Sequence, residues 1–146
     1  MTDTALRMLP LRLQPGDDLR RAIERAVRAQ GATAAFVVAG IGSLRPARIR
    51  FAGLDDETLL DGDTELLTLS GSVGTGGAHL HLSVADAQGR TVGGHACYGC
   101  TVRTTAELLL ALLPDWHFSR ERDPATGWAE LAVRPAPGAD SSHNPA

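Results

Sequence analysis

Lysine is absent from this chain. All fourteen of its cations are arginine, and with seventeen acidic residues the formal net charge is −3. No run of basic residues stands out, which argues against a broad nonspecific nucleic-acid surface, although a local arginine patch stays open. No apolar stretch approaches the roughly 20 residues of a membrane-spanning helix, and the amino terminus shows no secretory hydrophobic core, so the expected setting is cytoplasmic, without a membrane partner. Cysteine is scarce: there are two, Cys97 and Cys100, in Cys-Tyr-Gly-Cys. A disulfide is not expected in a cytoplasmic protein. A CxxC can be a redox pair or half of a zinc site, but redox motifs usually open a helix and this one ends a strand. Two small buried residues is the simpler reading, with Cys97 as neighbour or ligand of a histidine site as the alternative. The carboxylates of Asp55-Asp56-Glu57 and Asp61-Gly62-Asp63 match no calcium loop and read as a solvated turn region. No internal repeat is visible.

What is present is an ordinary globular composition over 146 residues, 43% hydrophobic and 21% charged, enough for one domain with a real core. Residues 1–134 are read as that domain. Residues 135–146, rich in Pro, Ala and Ser, are read as a disordered tail, so His143 is not counted as a ligand.

Three of the five histidines fall in one stretch, His79-Leu80-His81-Leu82-Ser83-Val84-Ala85-Asp86-Ala87-Gln88-Gly89-Arg90-Thr91-Val92-Gly93-Gly94-His95. Side chains alternate along a strand, so His79 and His81 share a face opposite Leu80 and Leu82. Asp86 at the first turn position and Gly89 at the fourth suit a type I turn followed by a residue of positive φ, a three-residue hairpin loop with a glycine bulge. With Asp86 opposite Arg90, counting back places His81 opposite His95 and His79 opposite Cys97. Opposed residues share a face, so three imidazoles converge as a three-His zinc site requires, with a fourth position open. Zinc is favoured over nickel or copper for that ligand set. A loop one residue longer or shorter would turn His95 to the other face.

Around this hairpin the chain reads in order. Leu6 to Leu13 is a strand ending at Pro15-Gly16. Asp17 or Asp18 caps a helix with Leu19, Ala22, Ile23, Ala26 and Val27 at helical spacing, ended by Gly31. Arg20, Arg21, Glu24, Arg25 and Arg28 read as its solvated side, with an arginine surface for anions as the alternative. Ala34 to Ile41 is an unbroken apolar run that suggests a strand buried on both faces. Gly40-Ile41-Gly42-Ser43-Leu44 fits no phosphate loop and reads as a bulge or bend. Arg48 to Phe51 and Glu65 to Val73 read as strands, the second with Leu67, Leu69 and Val73 on one side. Gly74-Thr75-Gly76-Gly77 then forms a flexible connection, so consecutive antiparallel strands follow. After Cys100 the chain continues as a strand, and the apolar element up to Leu113 suits helix or buried strand, strand being preferred. Trp116 to Phe118 and Trp128 to Val133 are the last two strands, about a polar turn over residues 120–127.

Taken together, Gly40-Ile41-Gly42-Ser43-Leu44, Glu65-Leu66-Leu67-Thr68-Leu69-Ser70-Gly71, the HxH and Gly-Gly-His segments and Asp123-Pro124-Ala125-Thr126-Gly127 resemble the plant-and-prokaryote-conserved (PPC) domain over roughly residues 6 to 134. The resemblance implies an α+β fold, a largely antiparallel sheet with one main amphipathic helix, assembled as a homotrimer. In plants the domain is joined to AT-hooks in nuclear regulators, implying a regulatory, DNA-associated or protein-interaction role. No Arg-Gly-Arg-Pro hook occurs in this chain. His79, His81 and His95 match the positions that resemble a metal site in prokaryotic members. The fold is also similar to that of acetolactate decarboxylase, which implies a second reading, a zinc-dependent lyase or hydrolase acting on a small carboxylate. Glu65 and Glu107 match glutamates of the family pattern and are the weak catalytic candidates, each with a surface or capping role as the simpler alternative. Arg48, Arg50 and Arg120 are candidates for neutralising an anionic ligand.

Overall fold

The computed structural model describes residues 6–139. Eleven elements follow one another: β1 (Arg7–Leu13), α1 (Leu19–Ala29), β2 (Ala34–Leu44), β3 (Ala47–Arg50), β4 (Thr58–Leu60), β5 (Thr64–Gly74), β6 (Gly77–Ala85), β7 (Thr91–Ala96), β8 (Val102–Leu112), β9 (Trp116–Arg122) and β10 (Ala129–Pro135). The first eight strands form one sheet in the order β1-β8-β2-β5-β6-β7-β3-β4, and β9 and β10 pair as a separate hairpin. Every pairing is antiparallel. This is the α+β architecture expected, with a single helix among the described residues.

Helix α1 starts where Asp18 accepts the Arg21 N–H on Oδ1 at 3.0 Å, the side-chain cap that an exposed first turn needs. The other oxygen of Asp18 accepts the Gly99 N–H at 2.7 Å, tying the helix start to the turn around Cys97–Cys100. Leu19, Ala22, Ile23 and Val27 are buried against the sheet, where they meet the inward residues Leu80, Leu82 and Val84 of β6 and Leu108, Leu110 and Leu112 of β8 in one core. Glu24 accepts the Ala78 N–H and the Tyr98 hydroxyl, both at 2.9 Å, and so pins the helix to the start of β6.

Five local expectations change. The apolar run of β2 is buried on one face only: Ala35 and Val37 are inside, whereas Phe36, Val38 and Ile41 are 40%, 51% and 54% exposed. Register shifts between Val37 and Ala39 and between Gly42 and Leu44 locate the bends expected near Gly40–Leu44. In β5 a bulge between Leu66 and Thr68 breaks the alternation, so Leu66 takes the inward place beside Leu69 and Val73 while Leu67 turns outward. The Gly74–Gly77 segment is not a loose connection. It is a tight turn in which Gly74 and Gly77 pair and Thr75 donates from both N and Oγ1 to the Phe118 carbonyl. The acidic region contains the short strand β4, paired with β3. The element up to Leu112 is strand, as preferred. Strand β10 runs through Pro135, opposite Trp116, and the Ala136 N–H reaches Asp115 O at 2.7 Å, so ordered structure passes the expected end at Arg134. His143 lies outside the described residues.

Candidate metal centre

The turn between β6 and β7 has the form its residues dictate. The Asp86 N–H donates to Arg90 O at 3.0 Å and the Gly89 N–H to Asp86 O at 2.9 Å, with Gly89 at φ 76°, a left-handed conformation that suits glycine. The Asp86 carboxylate also accepts the Gln88 and Arg90 N–H groups and the Arg90 side chain. This register sets His81 opposite His95. The β6–β7 ladder ends at that pair, so Cys97 is not held opposite His79; its N–H turns to Arg48 O at 3.0 Å instead. Gly94 lets β3 close on the far side, since a Cβ there would lie 2.5 Å from Arg50 O. Arg50 thereby comes opposite His95.

On the outer face, away from α1, the three imidazoles form a cluster with one potential ligand nitrogen from each ring, all within 4.8 Å of one another. His79 Nε2 lies 3.2 Å from His95 Nδ1 and 3.2 Å from His81 Nε2. A ring nitrogen offers either one hydrogen or one in-plane lone pair. His79 Nε2 can therefore make a hydrogen bond to one neighbour and not to both. A divalent ion at about 2.0–2.1 Å from three tetrahedrally placed nitrogens needs them about 3.3–3.4 Å apart, and the two observed 3.2 Å separations are close to that. The residues present fit a metal. Burial first, then Arg120 and the neighbouring imidazoles, hold His79 down to about 4. His95 is also lowered, by burial, then Arg50, then His81 and Arg20. Both rings are thus held in the neutral form that binds metals.

The cluster borders an open cavity of about 850 Å³ lined by His79, His95, Arg20, Arg50, Cys97, Arg120, Trp128 and Glu130 among others. Arg120 comes from β9 and donates to Ser72 Oγ at 2.9 Å; Ser72 is the β5 residue opposite His79. Arg50 donates to Leu54 O at 3.1 Å. The cavity thus brings together Arg50, Arg120 and Cys97 of the residues expected from sequence. Arg48 is drawn off to Glu57 at 2.6 Å and does not line it. Glu65 lies on β5 opposite Ser43 and Ala85, and Glu107 on β8 opposite Arg12 and Ile41. Neither lines the cavity, which draws its glutamate, Glu130, from β10. Burial raises the Cys97 thiol, and its Sγ is 3.7 Å from His95 O. Cys100 is wholly buried, donating to Arg48 O at 3.2 Å and accepting its N–H at 3.3 Å. Both cysteines are free thiols.

Arg20, Trp128 and Glu130 had no signal in the sequence for this site. Arg20 lies over the Tyr98 ring at 4.1 Å and beside Glu24 at 3.4 Å. Trp128 and Glu130 arrive because the β9–β10 hairpin folds back over the sheet, with Phe118 buried edge-on against Phe36.

The model of the Plants and Prokaryotes Conserved (PCC) domain matches residues 2–114. The chain belongs to this family. The PCC chain is 48% identical over 138 residues to the bifunctional protein GlmU of Synechococcus sp. (strain JA-2-3B'a(2-13)), a match covering 94% of this chain and 22% of that protein. It therefore spans about a fifth of that relative's length. Among solved structures it superposes on a hypothetical protein of Salmonella cholerae-suis with a TM-score of 0.87 at 36% identity, covering 92% of this chain and 97% of the other. It also matches the metal-containing protein AF0104 of Archaeoglobus fulgidus, TM-score 0.76 at 26% identity, over 90% and 99% of the two chains. The β9–β10 hairpin, source of Arg120, Trp128 and Glu130, lies beyond the residues matched by the family model.

Proposed function

We propose that this PCC chain is a metal-binding module in which His79, His81 and His95 hold a zinc ion, and that it acts as a homotrimer with a regulatory or partner-binding role. The observation that carries the reading is the contested nitrogen of His79, which faces two imidazole nitrogens at 3.2 Å and can hydrogen-bond to only one. The metal content of the Archaeoglobus fulgidus neighbour supports it. Assembly is supported by the outer strand face, where Met8, Val38, Ile41 and Leu67 stand 43–54% exposed; clustered apolar residues of this kind mark association surfaces.

The test is metal analysis of protein purified without chelator, alongside His79→Ala, His81→Ala and His95→Ala. About one zinc per chain in the parent and its loss from each variant is expected. Unchanged metal content in all three variants overturns the site. Light scattering tests assembly, and a monomer at working concentration removes the trimer. Retention on DNA that weakens steeply with salt would move the role to nucleic acid.

The cavity favours a second reading, a metal-dependent lyase or hydrolase acting on a small carboxylate. Bound zinc would supply a Lewis acid there. Arg50 and Arg120 would hold the anion, and Glu130 would supply a carboxylate for proton transfer. Turnover of a small acid that is lost with Glu130→Gln while metal is retained would establish it.

A further inference from the structure

We infer that the cavity binds an extended dicarboxylate, one carboxylate on Arg50 and the other on Arg120, with its middle beside His79 and His95. The inference rests on the metal reading only for that middle portion. The two guanidinium groups stand on opposite sides of the cluster, Arg50 beside His95 across the β3–β7 ladder and Arg120 on Ser72, the β5 neighbour of His79. Between β3 and β5 lie β7 and β6, and the register puts Arg50 in line with Ser70, so the backbones of Arg50 and Ser72 are three strand spacings across and two residues along, about 16 Å apart. Each guanidinium is tied at one nitrogen, Arg50 Nη1 to Leu54 O and Arg120 Nη2 to Ser72 Oγ. The ties hold them as two separate poles and leave the remaining donors of each for a ligand. A compact ion such as phosphate reaches one pole; a chain with a carboxylate at each end reaches both.

The charge pattern points the same way. Arg20, the third arginine of the cavity, is engaged by Glu24. Among the described residues neither Arg50 nor Arg120 has a carboxylate within ion-pair distance, although Asp55 and Glu130 line the same cavity. Glu130 instead accepts from Thr126 Oγ1 at 3.1 Å. Charge-assisted bonds from a guanidinium to a carboxylate are among the stronger polar contacts, and two such ends on one molecule discriminate against a molecule with one.

The experiment is calorimetric titration of the full chain, zinc-loaded and chelator-treated, with acetate, malonate, succinate, glutarate, adipate and inorganic phosphate, and metal content measured on the same samples. The expected result is a length optimum at which a dicarboxylate binds at least about tenfold tighter than acetate or phosphate. Arg50→Gln and Arg120→Gln should each bring that dicarboxylate to the level of acetate while circular dichroism and metal content stay at parent values. Should Arg120→Gln fail to fold, Arg50→Gln alone decides. A flat series, a phosphate affinity equal to the best dicarboxylate, or a preference that survives both substitutions overturns the inference. Zinc bound to the parent with a flat series would sink this inference and leave the metal site. A length preference in protein that holds no zinc as purified and takes none up when zinc is added would do the reverse.

Discussion

The two faces of the same sheet have opposite characters, although they are built from alternate residues of the same strands. In β6, Leu80, Leu82 and Val84 face α1 and are at most 4% exposed, while His79, His81 and Ser83 face away with His81 exposed. In β2, Ala35 and Val37 are sealed in while Phe36, Val38 and Ile41 are open. The inner face is where burial stabilises the fold. The outer face holds the imidazoles, the arginine-lined cavity and uncovered apolar side chains, and is where binding and association can occur. A substitution one residue along the strand should therefore change which property is lost.

The largest contrast is expected between Leu80 and His81. Leu80→Ala opens a cavity in a core with few voids and should cost about 2–5 kcal/mol, read as a lowered midpoint in urea. His81→Ala removes an exposed ring and should stay within about 0.5 kcal/mol in metal-free protein, while abolishing zinc uptake. Equal stability losses would erase the distinction between the faces.

The absence of lysine gives the turn over residues 97–100, where Cys100 enters the core, a clean pH signature. Burial holds the Cys100 thiol, ordinarily at 9.0, up at about 11. The Tyr98 hydroxyl is raised by burial and then by its bond to Glu24, and the Cys97 thiol by burial and then by Glu57. Each is protonated in the fold at a pH where the unfolded chain would release the proton. Stability from these groups is whole below pH 9 and is lost as pH rises towards 11, with Cys100 alone contributing up to about 2–3 kcal/mol. Cys100→Ala should flatten most of that slope in urea titrations at pH 8, 9, 10 and 11. A slope unchanged by the substitution would show that another group carries it.

How far these faces were legible in advance differs between them. The histidine register was readable because Asp86 and Gly89 specify a loop of definite length, and loop length decides facing. The helix was readable from Asp18 and the spacing of Leu19, Ile23 and Val27. The outer face of β2 was misread because a continuous apolar run identifies a strand without saying what covers it. Leu67 was misplaced because a bulge leaves no mark in the residue pattern. Arg20, Trp128 and Glu130 reach the cavity through tertiary packing of α1 and the β9–β10 hairpin, which local patterns do not encode. Glu65 and Glu107 were singled out by family pattern, and within one chain they stand away from the histidines, Glu107 three strands distant on β8.

Asp18 should give a smaller effect than Leu80 and mark the seam between helix and site. Its two oxygens serve the Arg21 and Gly99 N–H groups, so Asp18→Ala loses a helix cap and a turn tether and should cost about 1–2 kcal/mol in thermal melts. Asp18→Asn keeps an acceptor for one of them and should recover part of it. Full loss in both variants would show that charge, not the cap, is what matters.

The smallest effect on the folded chain is expected at Ile41, where the comparison is put most directly. Its side chain is 54% exposed and lies opposite Glu107. Ile41→Arg sets opposite charges across the β2–β8 ladder, a favourable pairing, so stability of the isolated chain should shift by no more than about 0.5 kcal/mol. In an oligomer that buries this face, a longer, charged side chain replaces an apolar one at the contact and must give up its water there, so assembly should fail. Light scattering at matched concentration separates the outcomes. A reduced mass with an unchanged circular dichroism spectrum assigns the outer apolar residues to association. If the parent is an oligomer and the substitution leaves its mass unchanged, Ile41 lies outside the contact, and the apolar residues of β2 need another explanation than a covering copy of the chain.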